Sequence, residues 1–99
     1  MTVTSTGFVA TPKGERYVQQ LVKHWSHKLD ISFVNGVATI PFDPAVTLTL
    51  TTTAEGIAMR LSSPDDAQDL RFRRVFENHL DRFAFREVPL GYSWVRQSA

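Results

Sequence analysis

The stretch Leu29-Asp30-Ile31-Ser32-Phe33-Val34-Asn35-Gly36-Val37-Ala38-Thr39-Ile40-Pro41-Phe42 decides the fold. Asn35-Gly36 is the preferred pair for a two-residue type I′ hairpin, because both central residues of that turn need positive φ. A turn there pairs Val34 with Val37, Phe33 with Ala38, Ile31 with Ile40 and Leu29 with Phe42. The last three pairs are apolar throughout and share one face. Ser32 and Thr39 share the other with Asp30 and Pro41. Strand side chains alternate with period two, so a slip of one residue would turn the whole apolar set toward water. Turn chemistry and patterning therefore specify the same register.

Downstream the pattern repeats. Val46, Leu48 and Leu50 alternate with Thr47, Thr49 and Thr51, and Ile57, Met59 and Leu61 alternate with Ala58, Arg60 and Ser62. A tight turn at Glu55-Gly56 opposes Leu50 with Leu61 and Thr51 with Arg60. Asp43-Pro44 joins the two hairpins; Pro44 has no N–H to donate, so the sheet breaks or bulges there. The result is a meander with one greasy face and one Thr-rich, solvated face.

Helices flank the meander. Thr11 reads as an N-cap with Pro12 at the first helical position, and Tyr17, Val18, Leu21, Val22 and Trp25 form an apolar stripe that ends near Lys28. Ser63-Pro64-Asp65-Asp66 opens the second helix with a cap, a Pro and two acids at the positive end of the dipole. Its stripe is Phe72, Val75, Phe76, His79, Leu80 and Phe83; it runs to about Arg86, and Pro89 stops it. Leu90, Tyr92 and Trp94 alternate as a last strand. Val3 to Ala10 reads as a first strand, with Phe8 as its core residue. The greasy sheet face and both helical stripes must bury one another. The expected fold is a single α+β domain over 1–99, an antiparallel sheet with two helices on one face, in the order β-α-β-β-β-β-α-β. That order resembles one repeat of the TATA-binding-protein fold with an added strand, an analogy of fold that implies nothing about DNA.

Composition narrows function by exclusion. The 99 residues carry eleven Lys plus Arg against ten Asp plus Glu, three His and no Cys. A formal charge of +1 gives no drive toward nucleic acid or an anionic membrane. Without Cys there is no disulfide framework, zinc ribbon or thiol nucleophile. The longest apolar runs, such as Phe83–Phe85, are far short of the ~20 residues that cross a bilayer. Met1 to Thr11 has no Lys or Arg and no apolar core of signal-peptide length, so the expected location is the cytoplasm. No Gly-rich phosphate loop, nucleophile elbow or HExxH is present, and no cofactor is required.

The candidates for chemistry are the histidines and their neighbours. His24 and His27, three apart on the first helix, could chelate a metal if His79 from the second helix completed the set. The competing reading places His24 and His27 on a solvated basic face with Lys13, Arg16, Lys23 and Lys28. His79 lies inside an apolar stripe, where an imidazole is usually neutral and bonded to a backbone carbonyl or carboxylate; facing a cavity, it would contact a ligand. Arg82 and Arg86, four apart, could hold one anion, although Asp81 and Glu87 beside them also fit an ordinary solvated surface. Arg71, Arg73 and Arg74 with Asp65, Asp66, Asp69 and Glu77 read as solvated too. Tyr92 and Trp94 read as packing residues.

Three segments carry a family resemblance: Thr11-Pro12 before Arg16-Tyr17; Lys23-His24-Trp25-Ser26-His27-Lys28; and His79-Leu80-Asp81-Arg82-Phe83-Ala84-Phe85-Arg86-Glu87, followed by Trp94. With them the chain resembles, over nearly its whole length, the uncharacterised bacterial family catalogued as domain of unknown function 2218. Pro41-Phe42-Asp43 departs from the family, where a Gly commonly follows the Phe, and Trp25 stands where Phe is more frequent. The resemblance supplies no catalytic residue. It implies a context, since similar domains occur beside or fused to siderophore-interacting flavin reductases. The expected function is a small binding module, an accessory to iron or siderophore use, with His79, Arg82, Arg86 and His24 as ligand-binding candidates. Its partner would be a small anionic ligand or such a reductase. The alternatives are a homodimerising interaction domain working through exposed sheet edges and a His-metal enzyme built on His24, His27 and His79.

Overall fold

The computed structural model describes residues 2–97. In chain order the elements are β1 (Val3–Ala10), α1 (Gly14–Trp25), β2 (Ser32–Val34), β3 (Val37–Asp43), β4 (Val46–Thr52), β5 (Gly56–Ser63), α2 (Asp66–Phe83) and β6 (Tyr92–Gln97). This is the expected α+β order. The strands form one antiparallel sheet in the order β2-β3-β4-β5-β1-β6. β1 therefore lies between β5 and β6, and the first and last strands pair at the edge opposite the first hairpin. Both helices cover one sheet face and touch each other, α1 over β3, β4 and β5, α2 over β5 and β1. Ile40, Leu48, Leu50 and Leu61 from the sheet, Val18 and Leu21 from α1, and Phe76 and Leu80 from α2 are fully buried in one cluster. At about 1.5–3 kcal/mol for each large apolar side chain removed from water, this layer is the main support of the fold. No helix of the described residues is long and apolar enough to cross a membrane.

The Asn35-Gly36 turn forms as expected, with φ of 53° and 78°. Val34 pairs with Val37, Phe33 with Ala38 and Ser32 with Thr39. The ladder then stops, so Ile31 does not pair with Ile40 nor Leu29 with Phe42. The Leu29 N–H is already donated to the Trp25 carbonyl at the end of α1, at 2.9 Å, and Leu29 and Ile31 pack half-buried against the core instead. The second hairpin turns at Ala54-Glu55 rather than Glu55-Gly56, with Thr53 and Gly56 bonded across it. Leu50 therefore opposes Met59, and Leu48 opposes Leu61. This shift of two residues keeps every side chain on its expected face. Between β3 and β4 the register shifts at Pro41 to Asp43, the irregularity expected near Pro44.

Helix ends differ from the expectations by a few residues. α1 begins at Gly14, and the Thr11 hydroxyl accepts the Lys13 N–H at 3.2 Å in the preceding turn. Asp65, not Ser63, caps α2, accepting the Gln68 N–H at 2.8 Å; Ser63 is buried at the end of β5. α1 ends at Trp25 and α2 at Phe83, each followed by turns.

Two corrections concern the core. Phe8 is on the open face, 36% exposed; Val3, Ser5, Gly7 and Val9 face the helices. Gly7 is required there, since a Cβ would lie 2.2 Å from the Ser93 carbonyl oxygen and 2.9 Å from Met59. Asp69 and Arg73, expected on a solvated surface, form an i,i+4 pair at 2.8 Å in which Asp69 is buried and Arg73 half-buried. Arg73 also donates to the buried Ser5 hydroxyl at 2.7 Å and stacks on Trp94 at 5.3 Å. The small inner residues of β1 leave the space that this ion pair and Trp94 fill.

Candidate functional site at the seam between the helices

α1 runs antiparallel to the end of α2, and helical spacing brings Lys13, Tyr17, Gln20 and His24 onto one stripe. A cleft of about 300 Å³ lies where this stripe meets the end of α2 and the turn after it. Its walls are Lys13, Arg16, Tyr17 and Gln20 from the α1 side, and Phe83, Phe85 and Arg86 from the other. Three cationic groups thus border one opening. Arg86 lies over the Phe85 ring at 5.6 Å, a contact that orients the guanidinium without using its donors.

Glu87, next to Arg86 in the chain, ties the two sides together. Its carboxylate accepts hydrogen bonds from Tyr17 Oη and, at 2.8 Å, from Thr11 Oγ1. The Tyr17 bond holds the carboxyl below the ordinary carboxylate range; Thr11 and Lys13 act in the same direction against partial burial. The same bond, with burial, raises the Tyr17 phenol. At neutral pH Glu87 is therefore an ionised acceptor already engaged, and Tyr17 a protonated donor. Lys13, Arg16 and Arg86 outnumber this one carboxylate, so the net charge beside the cleft is positive.

Further along the seam the aromatic groups close up. His79 is half-buried on α2, and its Nδ1 lies 2.7 Å from the Val75 carbonyl oxygen. A carbonyl can only accept, so Nδ1 carries the proton and Nε2 is left open. The His79 ring is 5.0 Å from Trp25 and 5.3 Å from His24, and His24 is 5.9 Å from Phe83, a wall of the cleft. On the far side of α2, Trp94 Nε1 donates to Glu77 and Tyr92 Oη to Asp81, both at 2.7 Å. Burial and that Asp81 bond push the Tyr92 phenol well above its ordinary value.

The structure thus joins some of the sequence candidates and separates others. His24 and His79 meet. His27 does not join them, because α1 ends at Trp25 and His27 lies exposed in the turn beyond, out of helical register with His24. No group of three or more His, Asp or Glu suited to a metal exists among the described residues. Arg86 borders the cleft; Arg82 is exposed and does not. Lys13 and Arg16, read as part of a solvated face, are cleft walls. Tyr17 was legible only as core and Glu87 only as surface. The spacing of Lys13, Tyr17, Gln20 and His24 was the available signal for a shared stripe, but nothing local to α1 shows what packs opposite.

A family model described as "Uncharacterized protein conserved in bacteria (DUF2218)" matches residues 6–95. The chain belongs to this family. The match includes every residue of the cleft and of the His24–His79 contact. The DUF2218 chain is also similar to a solved structure, "NMR structure of PA4090 from Pseudomonas aeruginosa", at 30% identity and a TM-score of 0.78. That similarity covers 93% of this chain and 94% of the other. No curated protein matches the chain.

Proposed function

We propose that this DUF2218 domain is a small cytoplasmic binding module whose ligand is a compact anion held at the seam between α1 and the end of α2. The observation that carries this reading is the convergence of Lys13, Arg16 and Arg86 on one cleft, whose two sides are tied together by the hydrogen bond from Tyr17 to Glu87. Guanidinium groups are suited to carboxylate and phosphate oxygens, which they bind in bidentate fashion. The finer reading is an accessory role in iron or siderophore use, which makes ferric siderophores and a siderophore-interacting reductase the first partners to try. Calorimetric titration with phosphate, citrate and ferric siderophores tests the module. One-to-one binding that weakens about 10- to 100-fold in Arg86→Ala, as loss of a charge-assisted bond does, supports it. Absence of heat with all of them, or equal weakening by Arg82→Ala, overturns it.

A second reading has its own observation. Among the described residues β6 pairs with β1 alone, which leaves its outer edge open, and Val95 and Phe8 are exposed on neighbouring strands of the uncovered face. Self-association through this edge is the alternative role. Light scattering across a concentration series distinguishes it: a rise toward twice the monomer mass, abolished by Val95→Lys, supports it, and a monomer throughout contradicts it.

A further inference from the structure

His24 and His79 belong to different helices, and neither lines the anion cleft, yet their ring centroids are 5.3 Å apart. That spacing has a chemical meaning. Two imidazoles bound through one nitrogen each to a single ion, at ~2.1 Å and a near-tetrahedral angle, place their centroids roughly 5 Å apart. His79 is also prepared as a metal ligand. Its Nδ1–H is donated to the Val75 carbonyl, so its tautomer is set and Nε2 is the free nitrogen; metal-binding histidines are held this way by a second hydrogen bond. Trp25 flanks His79 at 5.0 Å and Phe83 flanks His24 at 5.9 Å, which gives the pair apolar walls. The half-burial of His79 and the exposure of His24 leave one side open to solvent.

From this geometry we infer that His24 and His79 form a two-histidine site for a divalent transition-metal ion, with water in the remaining positions. Imidazole nitrogens favour copper, nickel and zinc over the hard cations magnesium and calcium. With two protein ligands the ion is exchangeable and its open positions face solvent. The inference is independent of the anion cleft: Phe83 borders both, but none of the cleft's charged residues takes part in it.

Trp25 makes the test direct, because copper(II) bound at the pair would lie beside its ring and quench its fluorescence. Titration of the full chain with copper(II) chloride at pH 7.5 is expected to quench saturably at one equivalent. His24→Gln, at an exposed position, and His79→Gln are each expected to weaken binding about tenfold or more, while His27→Gln leaves it unchanged. Magnesium chloride is expected to have no effect. Quenching that never saturates, that survives in His24→Gln, or that disappears in His27→Gln overturns the assignment.

Discussion

Tyr17 Oη donates a hydrogen bond to Glu87 across 70 residues of sequence, tying the turn that follows α2 to the first turn of α1. The bond joins the α1 side of the cleft, where Tyr17 lies, to the segment that carries Arg86. Arg86 precedes Glu87 in the chain, so whatever fixes the Glu87 carboxylate also fixes where the Arg86 backbone lies.

Removing that bond is expected to loosen the seam. Tyr17→Phe should destabilise the fold by about 1.5–3 kcal/mol, the range for a hydrogen bond to a charged group, read by urea denaturation at pH 7. The difference should depend on pH. A carboxyl with a lowered folded-state pKa contributes stability that is present above the ordinary value of ~4.3 and is lost as the pH falls through the folded value. Thermal unfolding at pH 7 and pH 3 should therefore show the gap between wild type and Tyr17→Phe narrowing in acid. A gap that is the same at both pH values would contradict this role for Glu87.

The Asp69–Arg73 pair is expected to be a major determinant of stability, because only 3% of the Asp69 side chain and 19% of the Arg73 side chain are exposed. Asp69→Ala strands a buried guanidinium and should cost about 3–5 kcal/mol. Arg96 and Asp66 form the solvent-exposed counterpart at 3.0 Å; Arg96→Ala should cost about 0–1 kcal/mol. Chemical denaturation of the two variants side by side checks the contrast, and equal losses would refute it.

Gly7 is expected to tolerate no side chain. In Gly7→Ala the new methyl meets the Ser93 carbonyl oxygen, a backbone atom that can retreat only by displacing β6 from β1. A loss of about 1–3 kcal/mol, typical of overpacking, should accompany a red shift of Trp94 emission as its ring leaves Phe76, now 6.2 Å away. Wild-type stability and spectrum in Gly7→Ala would show that the strands have room.

These residues mark where sequence was sufficient and where it was not. Asn35-Gly36 constrains φ at two adjacent positions, so its turn was legible without knowledge of any distant contact. Thr53 to Gly56 offered no such pair, and a two-residue shift of register preserves side-chain parity, so alternation could not distinguish Leu50 opposite Met59 from Leu50 opposite Leu61. β1 misled because its inner face carries Ser5 and Gly7 while Phe8 points outward; the reason is the bulk of Arg73 and Trp94, which arrive from α2 and β6. The site divides in the same way. His24, His79 and Arg86 were visible as chemically capable groups. Whether Lys13, Arg16 and Tyr17 joined Arg86, and whether His27 joined His24, depended on where α1 ends and how α2 lies against it, which is settled by tertiary packing.

The central claim is that the cationic walls at Lys13, Arg16 and Arg86 form a real anion site, and a nuclear magnetic resonance titration of labelled protein with sodium citrate at constant ionic strength tests it most directly. The expected result is a saturable set of amide shifts confined to residues 13–20 and 83–87, reached only at about 10- to 100-fold higher citrate in Arg86→Ala. Shifts that rise linearly without saturation, or that fall on the open face of the sheet and spare these two segments, would contradict it.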